Sequence, residues 1–213
     1  MTLELGVLVS GTGTNLQAIL DAVAEGRLDA RVRVVISNKA GAKGLDRARA
    51  HGVPAVVVSH RDHETRESFD RAVVEALRAH GVDHVVLAGF MRVITSVLLD
   101  AFPDRVVNIH PSLLPAFPGV DAQAQALAHG VKVSGCTVHF VDGGVDSGPI
   151  IGQRSVPVLE GDSRDVLANR ILAQEHELLV ESLEALARGE LGLETGESGR
   201  RRVIRKPSGD APG

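Results

Sequence analysis

An α/β fold, with a mostly parallel twisted sheet, helices on both faces and an antiparallel C-terminal edge, is predicted by three features of the 213-residue sequence. Short apolar runs alternate with segments of helical apolar spacing through the N-terminal half, which implies crossover helices between parallel strands. Glycine or proline punctuates almost every junction. From Lys132 onward two runs alternate apolar and polar residues with a loop and no helix between them, the pattern of an antiparallel pair.

Leu3–Val9 reads as a buried strand, broken by Ser10-Gly11-Thr12-Gly13-Thr14-Asn15, after which Leu16, Ile19, Leu20 and Val23 recur at helical spacing until Gly26. Strand, glycine turn and helix make a concavity of backbone N–H groups at the positive end of a helix, which suits an anion. A dinucleotide fingerprint fails twice. Leu16 stands where the third glycine belongs, and the strand at 32–38 ends without an acidic residue for a ribose hydroxyl. A phosphate monoester fits better; a tight turn that binds nothing is the other reading.

A short helix at 44–51 closes at Gly52, a strand follows at 54–58, and a helix at 64–80 carries Phe69, Val73 and Leu77 in one stripe. His60 and His63 lack the partners of a metal site and are read as a solvated loop. A strand at 84–88 leads to Gly89-Phe90-Met91-Arg92-Val93-Ile94, whose apolar side chains at a strand's carboxyl edge either line a flat pocket or belong to the core. Thr95 opens a short helix that Pro103 punctuates.

In the stretch 106–115, Asn108 and His110 are two apart on an extended strand and point the same way, while Val107 and Ile109 face the other side. Pro111 keeps His110 extended, and Leu114-Pro115 is a second turn that admits a cis bond. A donor amide and a titratable ring at a strand end mark either a catalytic pair or a satisfied core histidine beside a capping asparagine. A helix at 122–129 ends at Gly130. The half-exposed strand expected at 132–141 contains His139, read as structural. Before the next strand, at 149–158, comes the loop Asp142-Gly143-Gly144-Val145-Asp146-Ser147-Gly148, whose glycines allow backbone close to a ligand and whose carboxylates can orient an imidazole.

Asp162-Ser163 caps a long helix reaching residue 188, and Glu175 stands on its apolar face, where a carboxylate needs a partner. Beyond Leu193 the composition turns to Gly, Ser, Glu and Arg. A single domain is therefore expected over 1–193, with halves 1–103 and 104–193, followed by a flexible tail over 194–213 in which Arg200-Arg201-Arg202 is a solvated edge.

Composition narrows the function classes. A 44% hydrophobic and 23% charged chain is that of an ordinary soluble globular protein. No apolar run approaches the roughly 18–20 residues that span a bilayer, and no basic region precedes an apolar one at the N-terminus, so neither membrane anchor nor secretory signal is expected. Cys136 is the single cysteine, which excludes an intrachain disulfide and fits the cytoplasm. A formal net charge of −4 and the absence of Trp and Tyr argue against a nucleic-acid partner.

Taken together, residues 10–15, Ala88-Gly89-Phe90-Met91-Arg92, Asn108-Ile109-His110-Pro111-Ser112-Leu113-Leu114-Pro115 and the acidic glycine loop closely resemble the phosphoribosylglycinamide formyltransferases, folate-dependent enzymes of purine synthesis. The resemblance runs from about Leu3 to Leu193. The Asn-x-His-Pro block alone marks a wider group that includes methionyl-tRNA formyltransferase and formyltetrahydrofolate deformylase. Neither the further C-terminal domain of the first nor the N-terminal domain of the second is expected in a sequence of this length.

The resemblance implies a formyltransferase fold, with 10-formyltetrahydrofolate as co-substrate, no metal, and a homodimer compatible with it. It implies that Gly13, Thr14 and Asn15 bind the phosphate of glycinamide ribonucleotide and that the 172–175 segment, through Glu175, binds its glycinamide end. Arg66, Met91, Arg92, Val93, Ile94, Asn108, Asp142, Gly143, Gly144, Val145 and Asp146 are implied to line the folate site, and Asn108, His110 and Asp146 to be catalytic. Asp121 and Gln123 depart from the histidines such proteins carry in the 119–125 loop. In this mechanism Asn108 supplies a donor to the developing oxyanion, His110 acts as an acid, and Asp146 favours its charged form. A hydrolytic deformylase and a non-catalytic nucleotide-binding module are the rival functions.

Overall fold

A computed structural model describes residues 1–206. Strands β1 (Leu3–Val9), β2 (Ala30–Ser37), β3 (Ala55–Val57), β4 (His84–Leu87) and β5 (Val106–His110) alternate with helices α1 (Thr14–Ala24), α2 (Lys43–Ala50), α3 (Arg66–Ala79) and α4 (Ser96–Ala101). Helix α5 (Ala122–His129) precedes β6 (Val133–Phe140) and β7 (Ile150–Pro157), and α6 (Arg164–Ala187) precedes β8 (Leu191–Thr195) and β9 (Arg201–Arg205). The main sheet has seven strands in the order β3-β2-β1-β4-β5-β6-β7. Pairs within β1 to β5 are parallel and β6 pairs with β7 antiparallel, as the sequence predicts. No helix among the described residues is long and apolar enough to cross a membrane.

The chain divides into two compact units, Met1–Asn108 and the residues from Ile109 onward. The division falls within β5, a little beyond the 103/104 position expected.

In the first unit all of β4 is buried and β1 has one half-buried residue, Glu4, so both faces of these strands are covered. The stripe predicted on α3 is buried at Phe69, Val73 and Leu77. Leu77 lies over Gly6 of β1, where a Cβ would stand only 2.3 Å from the leucine Cδ2. Thr65 and Ser68 close a reciprocal capping box at the start of α3, fixing where that helix begins.

In the second unit α6 buries Leu167, Ile171, Leu178, Leu179 and Leu183, and Leu178 reaches the open face of Gly152 on β7. Strand β6 departs from the half-exposed expectation: Val133 is exposed and the other seven residues are buried. Among its polar members, Thr137 tolerates burial because the loop after β5 satisfies its hydroxyl. The Thr137 hydroxyl donates to the Ser112 carbonyl at 2.7 Å and accepts from the Leu114 N–H at 3.1 Å. The Leu114–Pro115 bond in that loop is cis.

The expected tail is also revised. Residues 191–205 form a hairpin in register Leu191↔Arg205 to Thr195↔Arg201. Gly196 and Gly199 turn the chain, and glutamates of one side meet arginines of the other, Glu194 with Arg202 and Glu190 with Arg205. Compositional polarity concealed this pairing. Residues 207–213 of the expected tail lie outside the described residues.

Candidate functional site

In the first unit, β1 delivers the glycine turn to α1. Gly13 adopts a left-handed conformation (φ 70°, ψ 31°), and α1 begins with no side-chain cap and no acidic residue in its first turn. A helix start left in that state favours an anion. Neighbouring elements hold the turn: the Gly44 N–H donates to the Gly11 carbonyl at 3.1 Å, and Arg47 donates to the Thr12 carbonyl and to Gln17, each at 2.9 Å. A Cβ at Gly13 would lie 2.6 Å from Gly44 Cα. Thr14 is half-buried and Asn15 buried.

Beside this turn runs the segment 89–95. The Ser10 hydroxyl accepts the Met91 N–H at 2.8 Å and donates to Asn38 Oδ1 at 2.7 Å, so the turn and the segment share one side chain. Met91 and Val93 are 66% and 55% exposed on this anchored backbone, so those two side chains are not part of the core. Arg92 and Ile94 are half-buried. Arg66 stands exposed at the first residue of α3, where a guanidinium can meet a carboxylate without losing its hydration. Asn108, half-buried, pairs in register with Leu87 at the end of the parallel ladder.

In the second unit the structure brings His110 and Asp146 together. His110 Nδ1 lies 3.3 Å from Asp146 Oδ2, and its Nε2 lies 2.9 Å from the Phe117 carbonyl oxygen. Both ring nitrogens thus face oxygen atoms that can accept a hydrogen bond. Asp146 has φ 50°, accepts the Gly119 N–H at 2.8 Å, and turns its other oxygen toward His139 Nε2 at 3.7 Å. Burial pushes the Asp146 carboxyl up, but the His139 and Gly119 donors and the charge of His110 outweigh it and hold the group below its ordinary range.

His139, expected from the sequence to be structural, has a second neighbour in this carboxylate. Its Nδ1 is 2.8 Å from the Phe140 carbonyl and its ring is buried, both consistent with structure alone, yet it faces the same carboxylate as His110. The one sequence signal was a histidine in a strand leading directly into the acidic loop. In that loop Asp142 accepts from the Gly144 N–H at 3.1 Å and the Ser147 hydroxyl at 2.6 Å, shaping the turn, while Gly143, Gly144 and Val145 are exposed. At 119–125, Asp121 precedes the first residue of α5 with φ 55° and no capping bond from its side chain, which pairs instead with Arg164 at 2.8 Å. Glu175 is buried on α6, and its charge helps burial push the Cys136 thiol up to about 12. No group of three or more His, Cys, Asp or Glu side chains able to hold a metal ion occurs among the described residues.

Comparison with known proteins identifies the family. Residues 4–183 match the family described as formyl transferase. The trifunctional purine biosynthetic protein adenosine-3 of Drosophila melanogaster is 49% identical over 188 residues, 87% of this chain, and the chain spans 14% of that protein's length. A phosphoribosylglycinamide formyltransferase of Escherichia coli (strain K12) is 41% identical over 191 residues, 90% of each chain. The crystal structure of glycinamide ribonucleotide transformylase 1 from Symbiobacterium toebii matches with a TM-score of 0.92 and 56% identity, covering 96% of this chain and 94% of that one. A family match across most of the sequence, close relatives of similar length and a shared fold lead to one conclusion: the chain belongs to the formyl transferase family.

Proposed function

We propose that the chain transfers the formyl group of 10-formyltetrahydrofolate to the amine of glycinamide ribonucleotide, giving formylglycinamide ribonucleotide and tetrahydrofolate in de novo purine biosynthesis. The observation that carries the chemistry is the pairing of buried His110 with half-buried Asp146, whose carboxyl is held below its ordinary range beside the ring. The family match, together with relatives at 41–42% identity that the chain covers almost fully and that are phosphoribosylglycinamide formyltransferases, supports the substrates.

In this reading the glycine turn at Gly13, Thr14 and Asn15 takes the phosphate, and Glu175 takes the amine end. Arg66, Met91 to Ile94, Asn108 and the loop from Asp142 to Asp146 take the folate. Formyl transfer needs a neutral amine, donors for the developing oxyanion and a proton for the leaving nitrogen. The Asn108 amide donates without changing its protonation state, and His110 holds a proton stabilised by Asp146. For the ring to serve the substrate, its Nε2 proton exchanges the Phe117 carbonyl for the reacting group. The same reading takes 1–193 as one catalytic domain, active in the cytoplasm, compatible with a homodimer and requiring neither metal nor nucleic acid.

The test is an assay of the purified protein with 10-formyltetrahydrofolate in the presence and absence of glycinamide ribonucleotide. Product formation only with the amine substrate is expected. Formate release without it would reassign the protein as a hydrolytic deformylase, and ligand binding without turnover as a binding module.

A further inference from the structure

Asp70, on α3, is a carboxylate only 1% exposed that the formyl-transfer chemistry does not use. Its Oδ2 accepts the Thr95 N–H at 2.6 Å and the Thr95 hydroxyl at 2.8 Å. By taking the hydroxyl proton it turns an oxygen lone pair of Thr95 toward the Val97 N–H, and Thr95 thereby caps α4. The residue before it, Phe69, stacks on Phe90 with centroids 6.4 Å apart, and the Arg92 guanidinium lies 6.0 Å from the Phe69 ring. Residues 69 and 70 therefore grip the chain at 90, 92 and 95, and the Ser10 hydroxyl grips it at 91. Between these anchors Met91 and Val93 remain exposed. An irregular segment held this firmly while presenting two large apolar side chains to solvent is a prepared contact surface.

We propose that Asp70 is a positioning residue for the formyl donor: through Thr95 it sets the course of residues 91–94, and so the affinity for the folate, without touching either substrate. The proposal rests on the reading of 91–94 as folate-lining. Burial pushes the carboxyl up, the two Thr95 bonds pull it back, and Glu67 and Arg92 act on it in opposite senses. What the segment needs from position 70 is an acceptor in one place rather than a charge, which the conservative variant separates.

The experiment compares Asp70→Ala, Asp70→Asn, Thr95→Val and Val93→Asp with the unaltered protein. Steady-state kinetics are run on both substrates, and hydrogen exchange is followed at the amides of 91–95 and of β4. For Asp70→Ala, KM for 10-formyltetrahydrofolate is expected to rise about tenfold, the loss of hydrogen bonds to a charged group. The KM for glycinamide ribonucleotide and kcat should change little, and amide protection should fall at 91–95 but not in β4. Asp70→Asn, which keeps an acceptor, should restore both readouts. Thr95→Val, which removes the hydroxyl alone, should give a smaller shift of the same kind and carries the test if Asp70→Ala does not fold. A parallel rise in both KM values, failure of Asp70→Asn to rescue, or unchanged protection at 91–95 would overturn the proposal. Val93→Asp tests the underlying reading: if it leaves the folate KM unchanged, the segment is not the folate site and both fall. If Val93→Asp raises that KM while Asp70→Ala does not, only the role of Asp70 falls.

Discussion

The Asp146 carboxylate stands between two imidazoles, with Oδ2 3.3 Å from His110 Nδ1 and Oδ1 3.7 Å from His139 Nε2. One carboxylate therefore orients the candidate acid while being held by a second ring from a different strand. Asn108→Ala, His110→Ala and Asp146→Ala are each expected to lower formyl transfer by about a hundredfold or more while retaining the fold. Initial rates on purified proteins, with circular dichroism as the control, check this. Near-normal turnover in all three would end the assignment.

A pH dependence follows from the same carboxylate. Its folded-state pKa is depressed, so it adds stability above the ordinary carboxyl range and loses that contribution as pH falls through the folded value. Asp146→Asn should melt below the unaltered protein at neutral pH, and the gap should close as pH drops below about 4. Melting curves at several pH values decide it; a gap that stays constant into acid would show that the charge is not what stabilises.

The phosphate turn makes a binding prediction. Substrate lacking its phosphate should bind much more weakly than glycinamide ribonucleotide, and Gly13→Ala should raise KM for the nucleotide. The substitution places a side chain at φ 70° against Gly44 Cα, a strain of at least about 1–3 kcal/mol. Calorimetric titration of both ligands is the measurement, and equal affinities would make the turn purely structural.

Cys136 should be silent toward thiol reagents in the native protein. It is fully buried and its thiol is pushed up to about 12, leaving almost no thiolate at neutral pH. Labelling with a disulfide reagent is expected to appear only across the denaturant unfolding transition. Stoichiometric labelling without denaturant would show an opening that exposes β6.

Much of the fold was legible because its signals are local. The alternation of apolar runs and helical stripes set β1 to β5, and glycine or proline marked the junctions. The turn at Gly13 and the cis bond at Leu114–Pro115 could be expected from residue types and spacing, and the pairing of His110 with Asp146 from the family resemblance. What stayed hidden depends on tertiary partners. Alternation in β6 suggested a wet face, yet Thr137 and Ser134 are buried, Thr137 with its hydroxyl satisfied by a distant loop. The hairpin over 191–205 is held by cross-strand Glu–Arg pairs that composition alone reads as polar tail. His139 and Asp70 carry no motif, and each becomes informative only when a residue far along the chain is placed against it.

Where α2 begins against the turn that opens α1, Gly44 and Gly13 meet backbone to backbone, with a Cβ on Gly13 coming to 2.6 Å from Gly44 Cα and one on Gly44 to 2.9 Å from Val9 Cγ2. A side chain at Gly13 would have to spread the two helix starts, whereas one at Gly44 would have to displace the Val9 side chain. The two positions therefore age differently: a descendant sequence that gives up Gly13 must also re-space α1 and α2 and so reshape the turn that opens α1, while one that gives up Gly44 must first make room at Val9.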